Sequence, residues 1–110
     1  MTSTVVYQGD LRTLCTHLGS QAQINTDAPV DNQGKGEAFS PTDLLATSLG
    51  ACAMTIMGIK GRDLRLDLSQ TRIEVEKIMK ADPRRVGGIN LTFHFPATAQ
   101  ADEKQRVIIE

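Results

Sequence analysis

The chain has 110 residues, 12 basic and 13 acidic side chains and two cysteines, Cys15 and Cys52. This length suits one small domain, and residues 1–110 read as one with no internal repeat, low-complexity tract or linker. A near-neutral balance without interleaved Lys, Arg and aromatic residues argues against nucleic acid, and the longest apolar run is interrupted too often to suggest a membrane span.

The N-terminal residues Met1 to Thr4 lack the basic stretch and apolar core of a signal peptide, so the expected compartment is the cytoplasm, where both cysteines would be thiols. Three short strands are predicted at 4–8, 11–17 and 22–26, with turns at Gly9-Asp10 and Gly19-Ser20, which together describe an antiparallel meander. Cys15 alternates with Leu11 and Thr13 on a strand face and reads as structural. Residues 27–39 combine two Gly, a Pro and charged side chains without periodicity, so they read as a loop. Gly34-Lys35-Gly36 lacks the preceding strand and the Lys-Ser/Thr ending of a phosphate-binding loop, so nucleotide binding is not supported.

Ser40-Pro41-Thr42-Asp43 carries a full set of helix-start signals. Ser40 can accept from the amide three residues on, Asp43 can reach back to the Ser40 amide, and Pro41 suits the first helical position. From Leu44 to Ile59 apolar and small residues occupy nearly every face, which predicts a central helix covered on all sides. Lys60-Gly61 supplies a cation and a left-handed cap, giving about 20 residues and roughly 30 Å. Met54, Met57 and Met79 read as core filler.

Two further strands are predicted at 70–79 and 88–95. Ile89, Leu91, Phe93 and Phe95 alternate with Asn90, Thr92 and His94, and the latter His reads as a surface residue. Residues 81–87 connect the two strands, and Gly87-Gly88 reads as the end of that connection, where positive φ is tolerated. Residues 102–110 read as the opening turns of an amphipathic helix with no C-cap, so the native chain is expected to continue. No metal site is expected, because neither cysteine has a Cys or His at ligand spacing and His17 and His94 lie far apart.

The strand meander, the Asp-Ala-Pro-Val-Asp loop with Gly-Lys-Gly-Glu, and then Ser-Pro-Thr-Asp-Leu-Leu with Leu-Gly-Ala-Cys resemble the OsmC-like family, that is, osmotically inducible protein C and the organic hydroperoxide resistance proteins. The resemblance covers essentially the whole chain. It implies an α+β fold in which antiparallel sheet wraps a long central helix, an intertwined homodimer, and two active sites at the subunit interface. It also implies a peroxidatic cysteine, Cys52, that reduces organic hydroperoxides with electrons from a dithiol, a lipoyl protein in some relatives, and without a cofactor. The family's second cysteine, in a Cys-Pro pair on the following helix, would lie beyond Glu110. A non-catalytic dimeric protein or fragment of the same fold, without a turnover cycle, is therefore the alternative.

A peroxide-reducing cysteine must react as the thiolate, and free thiols ionise only near pH 8.5. Cys52 lies 12 residues beyond Ser40, outside the reach of the helix dipole, so a nearby cation is required. On a helical wheel Thr42 is about 80° from Cys52 and Asp43 about 180° away, which leaves Asp43 as a cap. The family commonly has a glutamate where Thr42 stands. Lys35, Glu37 and Arg12 are the candidate replacements, and solvated surface charge is their alternative reading. For Cys52 the alternative is an inert buried thiol.

Overall fold

The computed structural model describes residues 1–96, and the expected helix at 102–110 lies outside the described residues. The chain falls into two compact units, Met1–Leu45 and Ala46–Glu110.

In the first unit β1 (Ser3–Gly9), β2 (Arg12–His17) and β3 (Gln23–Asp27) form an antiparallel sheet in the order β1-β2-β3. The predicted meander is therefore present. Asp10 and Leu11 both have positive φ between Tyr7, opposite Thr13, and Arg12, opposite Gly9. Positive φ at both central residues matches the right-handed twist of the flanking strands, and it moves Leu11 out of the strand predicted for it. The second turn is closed by bonds from His17 N to Ala22 O and from Gln21 N to His17 O at 2.8 and 2.7 Å.

Residues 27–39 are not wholly irregular. Asp27 closes β3, and a short 3-10 turn spans Val30–Asn32. The loop is pinned back to the sheet by Ala28 N to Leu11 O and Asp27 N to Phe39 O, at 3.1 and 3.0 Å.

Helix α1 (Pro41–Asp63) opens at the end of this unit and runs through the second. Its start is as expected. Ser40 Oγ accepts from Asp43 N at 3.0 Å, and Asp43 Oδ2 accepts from Ser40 N at 3.1 Å, so two otherwise orphaned amides are satisfied reciprocally. The other end differs from expectation. Gly61 is helical, and the left-handed residue is Arg65 at φ 57°. Leu66 N donates to Gly61 O and Arg65 N to Arg62 O, a Schellman closure that carries the helix past the predicted cap. Glycine is needed at 61 for space instead, since a Cβ there would lie 2.9 Å from Leu68 Cδ1 and 3.0 Å from Leu66 O.

In the second unit β4 (Arg72–Lys80) and β5 (Arg85–His94) form an antiparallel hairpin. Side chains on β4 alternate between half-buried and exposed, and on β5 Ile89, Leu91 and Phe93 are half-buried while Asn90, Thr92 and His94 are exposed, as period-two patterning requires. Lys80 pairs with Arg85, so the connection is shorter than predicted. Gly87 sits within β5 as the extra residue between the Ile78–Gly88 and Met79–Val86 pairs, and neither Gly87 nor Gly88 has positive φ. A bulge, not a loop end, accounts for the glycine pair.

Helix α1 packs on this hairpin through its small residues. A Cβ at Gly50 would lie 3.1 Å from Val75 Cγ2 and 3.6 Å from Leu91 Cδ2, and Ala46 is 1% exposed. Much of the remaining helix surface is open, contrary to the expectation of a helix covered on all sides. Leu49, Ile56 and Ile59 are 46, 58 and 59% exposed. The expectation that no apolar run could span a bilayer also needs correction: by length and composition alone α1 is long and apolar enough to do so.

Candidate functional site

The site residues expected from sequence fall into two groups, built by different elements. Pairing of β2 with β3 places Arg12 directly opposite Asp27. Arg12 Nε donates to Asp27 Oδ1 at 2.7 Å, and Arg12 Nη2 to Asp27 Oδ2 at 2.8 Å. Such parallel bonds fix both the distance and the plane of the guanidinium. Asp27 Oδ2 also accepts from Glu37 N at 3.1 Å, and Arg12 Nη2 reaches Glu37 Oε2 at 3.4 Å.

The carboxylate in this pair is 1% exposed, whereas the arginine side chain is 35% exposed and Glu37 is 65% exposed. The hydrogen bonds and then the charge of Asp27 hold the Arg12 guanidinium further above its ordinary value. The bonds from Arg12 hold the Asp27 carboxyl below its ordinary value, with burial opposing and the charges of Arg12 and Lys35 and the Glu37 amide assisting.

Thus Arg12 and Glu37 are brought together, and they are joined through Asp27, which sequence reading assigned to the loop. A signal for it existed. A turn centred between Gly19 and Ser20 already places residue 27 opposite residue 12 in an antiparallel pair. Lys35 instead lies 3.9 Å from Asp10 Oδ2, with both side chains mostly in solvent. Thr42 sits at the helix start, its Oγ1 3.2 Å from Ser40 Oγ.

Cys52 belongs to the second unit and is exposed. In the single chain, then, Cys52 is not the buried residue that its alternative reading expects. It stands in a stripe with Leu49, Ile56 and Ile59, whose spacings of three and four residues put them on one side of the helix. Cys15 is half-buried on β2 between Val5 and Ile24, with Sγ 3.9 Å from Thr13 Oγ1. Among the described residues no group of three or more His, Cys, Asp or Glu side chains is placed to hold a metal ion. His94 is on the exposed face of β5, with Nε2 3.3 Å from Glu74 Oε1.

The family model for OsmC-like protein matches residues 34–110. A crystal structure from Psychrobacter arcticus, of a protein named for an osmotic stress induced and detoxification response, is 57% identical and superposes with a TM-score of 0.93, covering 99% of this chain and 78% of that one. Two more distant structures share the fold. The organic hydroperoxide resistance protein OsmC of Legionella pneumophila is 15% identical with a TM-score of 0.66, over 99% of this chain and 80% of that one. A protein of Vibrio cholerae, named for organic hydroperoxide resistance and holding captopril in one of its active sites, is 17% identical with a TM-score of 0.62, over 99% and 75%. No curated protein sequence matches the chain.

Proposed function

The chain belongs to the OsmC-like protein family, and on that premise we propose that it is a thiol-dependent peroxidase that reduces organic hydroperoxides through Cys52 and works as a homodimer in the cytoplasm. The observation that carries this reading is the place of Cys52 in an apolar stripe on α1 that the single chain leaves uncovered, where a site shared with a second copy could form. A thiol kept for packing is normally buried, whereas one that must meet a substrate has to be reachable. The names of the Legionella and Vibrio structures agree with this class of substrate.

In the proposed cycle the Cys52 thiolate attacks the distal oxygen of the hydroperoxide. The S–O bond forms as the O–O bond breaks, and the alkoxide takes a proton to leave as the alcohol. The sulfenic acid then accepts two electrons from a dithiol, releasing water and a disulfide and restoring the thiol. Arg12, on the same or the partner subunit, is assigned the role of the cation beside the thiolate, with Glu37, Lys35 and Thr42 as pocket residues. The exposed leucine and isoleucines beside Cys52 would be covered by a second copy, and they would make the environment apolar enough to favour an organic peroxide over hydrogen peroxide.

The test is stoichiometric cumene hydroperoxide followed by a sulfenate-specific trap and peptide mapping. Label confined to Cys52 is expected. Label shared equally with Cys15, or found on neither cysteine, would overturn the peroxidase reading and leave a dimeric protein of this fold without turnover.

A further inference from the structure

We propose that Thr55 receives the peroxide end of the substrate: its side-chain oxygen accepts a hydrogen bond from the O–H of the hydroperoxide and holds the distal oxygen beside Cys52 Sγ. The inference rests on the peroxidase reading of Cys52 and adds to it the contact that orients the substrate. Both residues belong to α1 and to the second unit, so their relation is set by the helix alone.

Cys52 stands on a boundary of the helix surface. At about 100° per residue, Leu49 and Ile56 lie about 60° and 40° to one side of it, and Ser48 and Thr55 about 40° and 60° to the other. All four are exposed, the first pair apolar and the second hydroxylic. An organic hydroperoxide has the same division, an apolar body and a polar O–OH end. Laid across Cys52 with its body on Leu49 and Ile56, it turns that end toward Ser48 and Thr55.

The hydroxyl of Thr55 has a defined polarity. It donates its proton to Ala51 O at 2.8 Å, so what remains on Oγ1 is acceptor capacity. A hydroxyl committed in this way cannot donate to the thiolate or protonate the leaving alkoxide. It can accept from a hydroperoxide, whose O–H sits on the distal oxygen, the atom that the thiolate attacks. Side chains three residues apart on a helix have Cβ atoms about 5 to 6 Å apart. An oxygen about 2.8 Å from Oγ1 and about 3.3 Å from Sγ, a hydrogen-bond and a near-attack distance, fits that interval. No proton passes through Thr55. As the S–O bond forms and the O–O bond breaks, the distal oxygen keeps its hydrogen, the alkoxide takes a proton from solvent, and the Cys52 sulfenic acid still donates to Oγ1.

Packing does not account for the residue. Thr55 is exposed in the interior of the helix, where a β-branched side chain is less favourable than alanine and a bond back to the carbonyl four residues earlier tends to bend the backbone.

The test compares reagents on the whole chain in a Cys15→Ser background at pH 7: cumene hydroperoxide, which carries the O–H, and methyl methanethiosulfonate, which has no hydrogen-bond donor. Loss of the Cys52 thiol in a single turnover, read by mass spectrometry, gives the rate for each. Thr55→Val keeps the shape and removes the oxygen. It should slow the peroxide reaction about tenfold, the worth of one neutral hydrogen bond, while the thiosulfonate rate changes far less. Thr55→Ser, which keeps the hydroxyl, should recover most of the loss. Hydrogen peroxide carries the same O–H, so Thr55→Val should slow it by a similar factor. If Thr55→Val alters the far-UV circular dichroism, Thr55→Ala, which favours the helix, is read in its place. An unchanged peroxide rate, equal slowing with peroxide and thiosulfonate, slowing confined to the organic peroxide, or Thr55→Ser as slow as Thr55→Val would each overturn the role of Thr55 and leave Cys52 as the oxidised thiol. A Cys52 that reacts with the thiosulfonate but with neither peroxide, in the chain with Thr55 intact, would overturn the peroxidase reading and this inference with it.

Discussion

Gly50 on α1 and Val75 on β4 approach so closely that a Cβ built on the glycine would stand 3.1 Å from Val75 Cγ2. The helix therefore meets the hairpin backbone to side chain, with Leu91 and Ile73 filling the space on either side at 3.6 and 3.7 Å. Gly50→Ala should be close to neutral, because the gain of about 1 kcal/mol in helix propensity opposes a contact that needs only a few tenths of an ångström of relief. Gly50→Leu has no room and should lose about 1 to 3 kcal/mol. Urea unfolding of the two variants checks this, and equal midpoints would show that the contact is not tight.

The reciprocal bonds between Ser40 and Asp43 predict a cost at the helix start. Ser40→Ala removes the acceptor for Asp43 N and should destabilise by about 1 kcal/mol, while Ser40→Asp, which keeps a capping oxygen, should lose much less. The same unfolding measurement separates them. Identical losses in both variants would mean that the near-complete burial of Ser40, not its cap, decides.

The stripe Leu49, Cys52, Ile56, Ile59 predicts self-association. At micromolar concentration the protein should sediment at twice its 12.0 kDa chain mass, and Ile56→Glu or Leu49→Glu should halve the mass observed. Thr92→Glu, on the exposed face of β5, should leave it unchanged. A folded wild-type monomer at that concentration would contradict the dimer.

The Arg12–Asp27 pair predicts where acid acts. The carboxyl is held below its ordinary value in the folded state, so its contribution is present above pH about 4, the value of a free aspartate, and is lost as pH falls through the lower folded value. Wild type should lose stability on going from pH 5 to pH 2.5, and Asp27→Asn, less stable at pH 5, should lose less over the same interval. Asp67, lowered by bonds from Ser69, contributes in the same direction in both proteins. Parallel pH profiles for wild type and variant would rule out Asp27 as a source of the acid sensitivity.

Much of the fold was legible in the chain because its causes are local. The Ser40–Asp43 cap involves residues three apart, the meander turns carry Gly9-Asp10 and Gly19-Ser20, and the alternation of Ile89, Leu91 and Phe93 needs only the period of a strand. Cys52 was singled out through the resemblance carried by the Ser-Pro-Thr-Asp-Leu-Leu and Leu-Gly-Ala-Cys segments, since its local pattern alone also suits a packed thiol. The misses at the helix C-terminus and at Gly87 have a different origin. There a glycine answers to a neighbour, Leu68 at Gly61 and the β4 register at Gly87, and not to its own backbone conformation.

What the amino-acid order determined by itself, then, is the set of elements, their ends where caps are local, and the one exposed thiol's place on the long helix. What tertiary structure decided is which charges are buried and which of the loop charges join them. Arg12 looks like any strand arginine and Asp27 like any loop aspartate until the β2–β3 ladder sets them opposite each other across 15 positions and buries the carboxylate. Lys35 and Glu37, two residues apart, end in different company, one beside Asp10 in solvent and the other bonded to Asp27 and Arg12. Charge pairing depends on separations of a few ångströms; the turn at Gly19-Ser20 carries the register that sets Arg12 opposite Asp27, but the burial of the carboxylate and its bond from Glu37 N come only with the folded loop.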